Sequence, residues 1–336
     1  MKAVICESYG GPEVLELAND IPVPQPGPNG VLVRVCASSV NPVDWKLRQG
    51  MLAPLWDLRF PVIWGCDFSG VVEKTGSAVT LFKPGDEVYG FKHGKVAQTY
   101  RGTYAEFAVA PENTLAHKPA RLSHEEAAAV PLAALTAWQA MVNLGKLTAG
   151  KKVLIHAGAG GVGVMAIQIA KAMGAYVAAT ASKANQDLLR ELGADLCIDY
   201  AREKIEDELS GYDLVLDGVG KSVWASSFKV LRPGGRLITL TLPVPAPPAG
   251  KFKFYGTIVA SVVGYWLASM VRRKWLWALR VQPRGGELEK ITELIQAGKL
   301  RPVIAEVYPL EQIAEAHRES EKGHVRGKLV VKISNS

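Results

Sequence analysis

A glycine-rich turn between an apolar strand and a helix constrains this chain most. The run VLIHAGAGGVGVMAIQIAKAMGA occupies residues 153–175, and it contains the spacing G-x-G-x-x-G at Gly158, Gly160 and Gly163, with Gly161 added. Glycines at this spacing let backbone N–H groups approach a pyrophosphate, and the following helix, which should open near Val162, contributes donors and a positive dipole end. The alternative is a tight βα turn in a fold that binds no nucleotide. The second strand that follows favours a dinucleotide site.

The surrounding pattern predicts two domains, in keeping with the chain length of 336 residues. The first ~120 residues read as strands separated by Gly/Pro turns, which indicates a β-rich, partly barrel-like domain. After a capping box at Ser123 and Glu126, short apolar strands alternate with helices, which predicts a parallel sheet covered by helices. The predicted strands are 153–157, 176–180, 196–198, 214–217, 236–240 and 275–281; the predicted helices are 162–173, 185–192 and 222–231.

The segment after Gly286 reads as helix 287–297, strand 303–307, helix 310–322 and strand 328–333. We expect it to return to the first domain, which would then be discontinuous. The predicted bounds are therefore 1–123 with 284–336 for the β-rich domain, and 124–283 for the dinucleotide-binding domain.

Composition narrows the class of protein. Hydrophobic residues make up 48% of the chain and charged residues 21%, which excludes disordered and collagen-like architectures. The four cysteines are far apart and form no CxxC pair, so neither a disulfide scaffold nor a cysteine-rich structural zinc site is expected. A reducing, intracellular setting fits best. The N-terminal residues lack the features of a signal or transit peptide, so we expect a cytoplasmic location.

The end of the second strand of the βαβ unit indicates which dinucleotide binds. NAD enzymes carry an acidic residue about 20 residues past the glycines, where it binds the ribose 2′-hydroxyl. Here that position is Lys183, preceded by Ser182, and the first acid is Asp187. A hydroxyl and a cation suit a 2′-phosphate, which favours NADPH over NADH. The alternative is that Ser182 caps a helix and Lys183 is solvated.

Several motifs carry a resemblance that spans essentially the entire chain. Beside the stretch 150–171, they are NPVDWKLRQG at 41–50, GCDFSGVV at 65–72, FKPGDEVYG at 82–90, GTYAEF at 102–107 and HVRGKLVV at 324–331. The chain resembles a medium-chain dehydrogenase/reductase of the zinc-independent quinone oxidoreductase (ζ-crystallin-like) branch. NPVDWK and HxRGK are most similar to the subgroup of chloroplast-envelope quinone oxidoreductase homologues, fruit enone oxidoreductases and the mitochondrial reticulon-interacting oxidoreductase.

The resemblance implies an α/β architecture, with a GroES-like catalytic domain, a Rossmann domain with a doubly wound parallel sheet, and a cleft between them. It places Asn41 beside the nicotinamide and the substrate. Cofactor contacts are implied for Thr136, the glycine turn including Val162, Tyr200, the segment from Asp217 through Val219 to Gly220, Leu240 and Thr241, and Arg326 and Lys328. A homodimer is also implied.

The chain departs from the zinc-dependent members of this superfamily at both ligand positions. Those enzymes have a cysteine near residue 41 and Gly-His-Glu at the second position, whereas this chain has Asn41 and Gly65-Cys66-Asp67. Zinc prefers thiolate and imidazole ligands at tight spacing. The sequence therefore predicts no metal site, and Cys66 is expected to be a small buried residue.

Without a metal the hydride acceptor must already be electrophilic, as conjugated carbonyls and quinones are. The resulting enolate or quinol anion needs hydrogen-bond donors and then a proton. Asn41 and Lys46 are the candidate catalytic donors, Asp44 could orient Lys46, and a ribose hydroxyl or water would supply the proton. The alternative for NPVDWK is structural: Pro42 shapes a turn, Trp45 packs, and Asp44 and Lys46 form a surface pair of little energetic value.

A basic, partly apolar region lies near the end of the dinucleotide-binding domain. Residues 218–286 contain eleven Lys and Arg and no acid, and 254–271 form an uncharged run of 18 residues flanked by basic residues. A transmembrane helix here would separate the C-terminal tail from its own domain. The open alternatives are a substrate-cleft helix followed by an edge strand able to pair with a second subunit, and peripheral membrane contact through 251–274. No nucleic-acid-binding motif is present.

Three functions fit these features. The first is an NADPH-dependent reductase of enones, enals or quinones. The second is a protein that binds NADPH with little or no turnover. The third is a membrane-recruited redox protein that acts on a lipophilic quinone. Fold resemblance alone does not choose among them.

Overall fold

The structure is a computed structural model that describes residues 1–51, 53, 59–92, 102–241, 256–257, 259–260, 263–264 and 273–334. Its contacts divide the chain into two compact units. The first unit comprises Met1–Leu135 and Gln282–Ser336, and the second comprises Thr136–Val281. The predicted strand 153–157 ends two residues early, at Ile155, because Ala157 has a left-handed φ of 53° and begins the turn.

The first unit is built on β-sheet. Among the described residues its larger sheet contains, from one edge, Ile304–Pro309, Lys328–Lys332, Gly30–Val40, Asp67–Thr75, Glu87–Phe91 and Leu115–His117, with Phe107–Pro111 also paired to Gly30–Val40. A smaller sheet contains Glu16–Ala18, Ala3–Cys6 and Val62–Ile63. The C-terminal strand runs antiparallel to Gly30–Val40, with Leu329 opposite Val40. This pairing brings residues near position 328 beside those near position 41.

The helices of the first unit begin with clear local signals. They are Pro42–Arg48, His124–Ala128, Gly285–Gln296 and Ile313–Glu321, and Pro131–Trp138 contains the boundary with the second unit. Pro42 occupies the first helical position, where its missing N–H removes no helical bond. The carboxylate of Asp44 accepts the Asn41 N–H at 2.8 Å. The predicted capping box is confirmed, because Ser123 Oγ and the Glu126 carboxylate each accept the other residue's N–H.

The second unit is a parallel sheet covered by helices, which confirms the predicted fold class. Its described strands lie in the order Leu196–Asp199, Tyr176–Ala181, Lys152–Ile155, Tyr212–Asp217, Leu231–Thr239 and Trp275–Ala278, and every pair of neighbours is parallel. Its helices include Gly161–Ala172, Gln186–Glu191, Ile205–Glu208 and Trp224–Val230.

The strand order of the second unit locates a binding crevice. The chain starts the sheet at Lys152–Ile155, adds two strands on one side, and then adds Tyr212–Asp217 on the other side. Ligands of such sheets bind at the carboxyl ends of the strands where the order reverses. The turn after Ile155 and the loop after Asp217 lie at this point.

The apolar run 254–271 lies mostly outside the described residues. Of its described members, Val259 is 57% exposed and Val263 is 45% exposed. No helix in the described part of the chain is long and apolar enough to cross a bilayer.

Candidate functional site

The glycine turn of the second unit is shaped by contacts that exclude side chains. A Cβ on Gly163 would lie 2.3 Å from the carbonyl oxygen of Ala157, and a Cβ on Gly158 would lie 2.9 Å from Leu189 Cδ2. Gly163 is therefore required, because the colliding atom belongs to the backbone, whereas at Gly158 the leucine side chain could shift. A Cβ on Gly160 would meet no atom closer than 3.4 Å. Its hydrogen atom thus keeps the turn open to a ligand, in keeping with the role of the middle glycine of such motifs.

Backbone donors are concentrated where the helix of this turn begins. The N–H of Val164 bonds Gly160 O at 3.0 Å, which is the first bond of the helical ladder. Gly161, Val162 and Gly163 precede it, and N–H groups at these positions of a helix have no acceptor within the helix. Such a terminus binds anions such as phosphate, because the donors and the helix dipole act together.

The end of the second strand carries a hydroxyl and a cation, as the sequence shows. Ser182 is half-buried, and its Oγ accepts a hydrogen bond from Asn185 Nδ2 at 3.2 Å. Lys183 is exposed. The next acid along the chain, Asp187, has a side chain that is 98% exposed and pairs with Arg190 at 2.6 Å. The end of this strand itself therefore carries no acid, although Asp199 lies opposite Ala181 on the neighbouring strand.

The loop after the strand Tyr212–Asp217 is organised by the buried carboxylate of Asp217. Its Oδ1 accepts the N–H groups of Val219 and Gly220, both at 2.8 Å. Its Oδ2 accepts the indole N–H of Trp224 at 2.7 Å and the hydroxyl of Thr239 at 2.8 Å. The predicted segment 217–220 and the predicted pair Leu240 and Thr241 thus lie on adjacent strand ends, joined by a carboxylate that shapes the loop.

In the first unit, Asn41 lies in a buried polar cluster with Asp67 and Lys328. Asn41 is 3% exposed, Asp67 0% and Lys328 4%. Asn41 Nδ2 donates to Asp67 Oδ2 at 2.9 Å, and Lys328 Nζ donates to Asn41 Oδ1 at 2.5 Å. Lys328 also donates to Asp67 Oδ2 at 3.3 Å and to Val40 O at 3.2 Å. The cluster joins three elements that are distant in the sequence.

Asp44 forms a second buried cluster, which corrects its predicted pairing with Lys46. Asp44 is 1% exposed, so it cannot belong to a surface pair. Its carboxylate accepts the Cys66 S–H at 3.1 Å, the Tyr104 hydroxyl at 3.2 Å and the Asn41 N–H. Lys46 is half-buried, with Nζ 5.4 Å from the Trp45 ring centre. The prediction that Asp44 orients Lys46 is therefore wrong.

Burial sets the protonation of this second cluster. It raises the pKa of Asp44 to about 6. Burial and the neighbouring Asp44 carboxylate hold the pKa of the Cys66 thiol well above its usual range. Burial also lowers the pKa of Lys46. Cys66 is only partly buried, contrary to the prediction, and it is a neutral thiol whose hydrogen points at Asp44.

Tyr104 connects Asp44 to a buried histidine. Because the Tyr104 hydroxyl donates to Asp44, it accepts from His317 Nε2 at 3.2 Å. His317 Nδ1 then accepts the Arg48 Nε–H at 3.4 Å, and Arg48 also pairs with Glu321. Burial and the charge of Arg48 lower the pKa of His317 to about 3, so the imidazole is neutral in this arrangement.

The remaining predicted residues differ in their burial. Thr136 is buried in the helix Pro131–Trp138, whereas Arg326 and Tyr200 are exposed, Tyr200 by 58%. The sequence reasoning missed Tyr104, His317 and the structural role of Asp67. No local signal marks His317, whereas Tyr104 and Asp67 both stood in motifs already singled out, GTYAEF and GCDFSGVV. Among the described residues, no three His, Cys, Asp or Glu side chains are grouped to hold a metal ion.

Comparison with known proteins agrees with this architecture. The model of the alcohol dehydrogenase GroES-like domain matches residues 27–120, and that of the zinc-binding dehydrogenase domain matches residues 192–331. The chain is 36% identical to NAD(P)H oxidoreductase RTN4IP1, mitochondrial, of Danio rerio, covering 99% of this chain and 91% of the relative. It is 38% identical to the chloroplastic NADPH-dependent alkenal/one oxidoreductase of Arabidopsis thaliana, covering 98% and 79%.

A solved structure gives the same result over the full length. The quinone oxidoreductase from Coxiella burnetii superposes with a TM-score of 0.84 at 35% identity, covering 99% of both chains. The strand order of the second unit, the glycine turn and these full-length similarities agree with one another. The chain therefore belongs to the medium-chain dehydrogenase/reductase family, in its quinone oxidoreductase-like branch.

Proposed function

We propose that the chain is an NADPH-dependent, metal-independent reductase that transfers a hydride to a conjugated carbonyl or to a quinone. In an enone or enal the hydride would reduce the C=C bond. The observation that carries the proposal is the glycine turn, where a Cβ on Gly163 would lie 2.3 Å from a backbone oxygen. Relatives named for NADPH, for alkenals and alkenones, and for quinones support the cofactor and substrate classes.

The residues of the second unit fit NADPH. The open turn at Gly160 and the helix-start N–H groups would hold the pyrophosphate, and Ser182 with Lys183 would hold the 2′-phosphate. Tyr200 would contact the adenosine ribose–phosphate. The remaining proposed cofactor contacts are Thr136, Asp217, Val219, Leu240, Thr241 and Arg326. Of these, Asp217 would act through the loop that it holds. When bound, NADPH supplies the hydride.

The side chains at the two zinc-ligand positions do not fit zinc, although one matching family model is named for zinc binding. A zinc ligand must offer a free lone pair or a thiolate. Cys66 is a thiol that donates to Asp44. Asp67 accepts the Leu132 N–H on Oδ1, and Ser39, Asn41 and Lys328 donate to its Oδ2. We therefore propose a reaction in which no metal activates the acceptor.

The chemistry of this chain would then consist of holding an acceptor that is already electrophilic. Asn41 would donate a hydrogen bond to the carbonyl oxygen, where negative charge develops. Lys46, whose pKa is lowered by burial, is the second proposed catalytic donor. The proton that completes the reduction would come from a ribose hydroxyl or from water.

The test compares NADPH with NADH in oxidation assays with one simple enone and one simple quinone. Lys183→Ala should raise the KM for NADPH about tenfold or more, because a hydrogen bond to a charged group contributes about 1.5–3 kcal/mol. The KM for NADH should not change. Lys290→Ala, an exposed lysine on a helix of the first unit, is the control. An unchanged preference for NADPH in Lys183→Ala would refute the assignment of the 2′-phosphate site.

The same assay separates the other functions. Binding of NADPH without turnover of either acceptor would favour a binding protein. Recovery of turnover on vesicles that contain a lipophilic quinone would favour membrane recruitment through 251–274.

We further propose that the chain forms a homodimer in the cytoplasm. Its two functional domains would be residues 1–123 together with 284–336, and residues 124–283. The strand Trp275–Ala278 lies at the described edge of its sheet, and Trp275 and Trp277 are 40% and 47% exposed. An edge strand with exposed aromatic side chains can pair with a second copy. Sedimentation velocity of Trp277→Lys should then show a shift to monomer.

A further inference from the structure

We infer that Lys328 and Asp67 are positioning residues for Asn41: together they fix which way its amide faces and leave one amide hydrogen for the acceptor. This inference deepens the proposed function and rests on it, because Asn41 is the proposed donor to the carbonyl oxygen. It assigns Lys328 a role different from the cofactor contact implied by the family resemblance.

The amide orientation follows from the chemistry of its two neighbours. A lysine ammonium can only donate hydrogen bonds, so the Asn41 atom that faces Lys328 Nζ must be the oxygen. A carboxylate can only accept, so the atom that faces Asp67 Oδ2 must be the nitrogen. A flipped amide would place two donors together and two acceptors together. The pair therefore excludes the flip from both sides.

Lys328 has no donor left for a phosphate in this arrangement. An ammonium carries three N–H groups, and Lys328 donates to Val40 O, Asn41 Oδ1 and Asp67 Oδ2. The side chain is only 4% exposed. To bind a cofactor phosphate, Lys328 would have to break its hydrogen bond to the buried carboxylate of Asp67, which would then lack its counter-charge.

Asp67 likewise uses both of its carboxylate oxygens within the protein. Its Oδ1 accepts the Leu132 N–H at 2.7 Å, and its Oδ2 accepts Ser39 Oγ at 2.8 Å as well as Asn41 and Lys328. Both oxygens of the carboxylate are thus held by protein donors. Asn41 Nδ2 carries two hydrogens, and the bond to Asp67 uses one of them. The second hydrogen is the group that this cluster presents.

The first test is a double-mutant cycle on kcat. Asn41→Ala and Lys328→Met should each lower kcat about ten- to hundredfold, the range for losing a bond to a developing charge. If Lys328 acts through Asn41, the double variant should have the kcat of Asn41→Ala alone. The dissociation constant for NADPH, measured by nicotinamide fluorescence, should not change in Lys328→Met. The inference would be overturned if the two losses in kcat multiplied in the double variant and Lys328→Met also bound NADPH more weakly.

Matched variants separate positioning from folding. Lys328→Arg keeps the charge and the donors, so it should recover most of kcat. Lys332→Met removes a lysine from the same strand that is 47% exposed, and it should leave kcat unchanged. The thermal midpoint of each variant identifies any loss that comes from unfolding. Failure of Lys328→Arg to recover kcat while folded would count against the inference.

A spectroscopic measurement decides the question without turnover. In protein with ¹⁵N-labelled asparagine, the side-chain signals of Asn41 are those that disappear in Asn41→Ala. Its two amide protons should be widely separated in chemical shift, since one of them bonds a carboxylate. Lys328→Met should reduce the separation and Lys332→Met should not. If neither acceptor is turned over, the proposed function fails, but this measurement still tests the inference. A smaller separation of the Asn41 amide protons in Lys328→Met supports the inference, and an unchanged separation overturns it.

Discussion

The carboxylate of Asp217 gives the sharpest quantitative prediction about the second unit. It is 0% exposed and accepts two backbone N–H groups on one oxygen and two side-chain donors on the other. Asp217→Asn keeps the volume and replaces one oxygen with an NH₂ group. In either orientation of the amide, its NH₂ group faces two of the four donors that bonded the carboxylate, and both lose their acceptor.

The magnitude follows from the less costly orientation. If the amide oxygen keeps the N–H groups of Val219 and Gly220, the NH₂ faces Trp224 and Thr239. The Thr239 hydroxyl can turn to Thr241 O, 3.0 Å away, but the indole N–H is rigid and loses its acceptor. Losing one hydrogen bond to a charged group costs about 1.5–3 kcal/mol. For a unit of this size, that lowers the thermal midpoint by about 3–12 °C.

Thermal unfolding followed by tryptophan fluorescence measures this change. Asp187→Asn is the matched control, because the Asp187 side chain is 98% exposed and its pair with Arg190 contributes little. We expect its midpoint to stay within about 1 °C of the wild type. A midpoint for Asp217→Asn equal to that of Asp187→Asn would refute the reasoning that this carboxylate holds the loop.

Two further predictions concern the glycine turn and the acid beside Cys66. Gly163→Ala should abolish tight NADPH binding in isothermal titration, since its Cβ would collide with Ala157 O at 2.3 Å; Gly286→Ala, where no atom lies within 4 Å, should bind normally. Burial raises the pKa of Asp44 to about 6 from 3.8, so the folded state binds more protons between those pH values and the Asp44 contribution to stability is lost as the pH rises. The wild-type urea midpoint minus that of Asp44→Asn should therefore decrease from pH 4 to pH 7; a constant difference would contradict the assignment.

The fold of the second unit could be predicted because its signals are local. An apolar strand, a glycine turn and a helix follow one another within 153–175, and the alternation that continues afterwards specifies a parallel sheet. The error at Ala157 was equally local. Its apolar side chain extends the strand pattern, whereas its backbone has a left-handed φ of 53°. Alanine rarely adopts that conformation, so the sequence does not predict it.

The predicted pairing of Asp44 with Lys46 failed for a reason that the helix period could have supplied. Pro42 opens a helix, and residues two apart on a helix do not face each other. Asp44 therefore points inward to Cys66 and Tyr104 while Lys46 lies against Trp45. Tyr104 stood in the motif GTYAEF, but its bond to Asp44 joins elements some 60 positions apart and depends on tertiary packing. His317 carried no signal, because it bonds Tyr104 from an element more than 200 positions away.

Two acids at positions that the sequence analysis named hold neighbouring elements of the fold together. Asp67 and Asp217 are both fully buried, and both oxygens of each accept hydrogen bonds from protein donors. Both oxygens of each carboxylate are therefore already used within the protein. Among the groups proposed to meet a ligand are two sets of donors: the second amide hydrogen of Asn41 and the N–H groups that open the helix Gly161–Ala172. Donors stabilise developing negative charge but do not create an electrophile. In the proposed metal-independent reaction, the acceptor must therefore bring its own electrophilic carbon, as enones and quinones do.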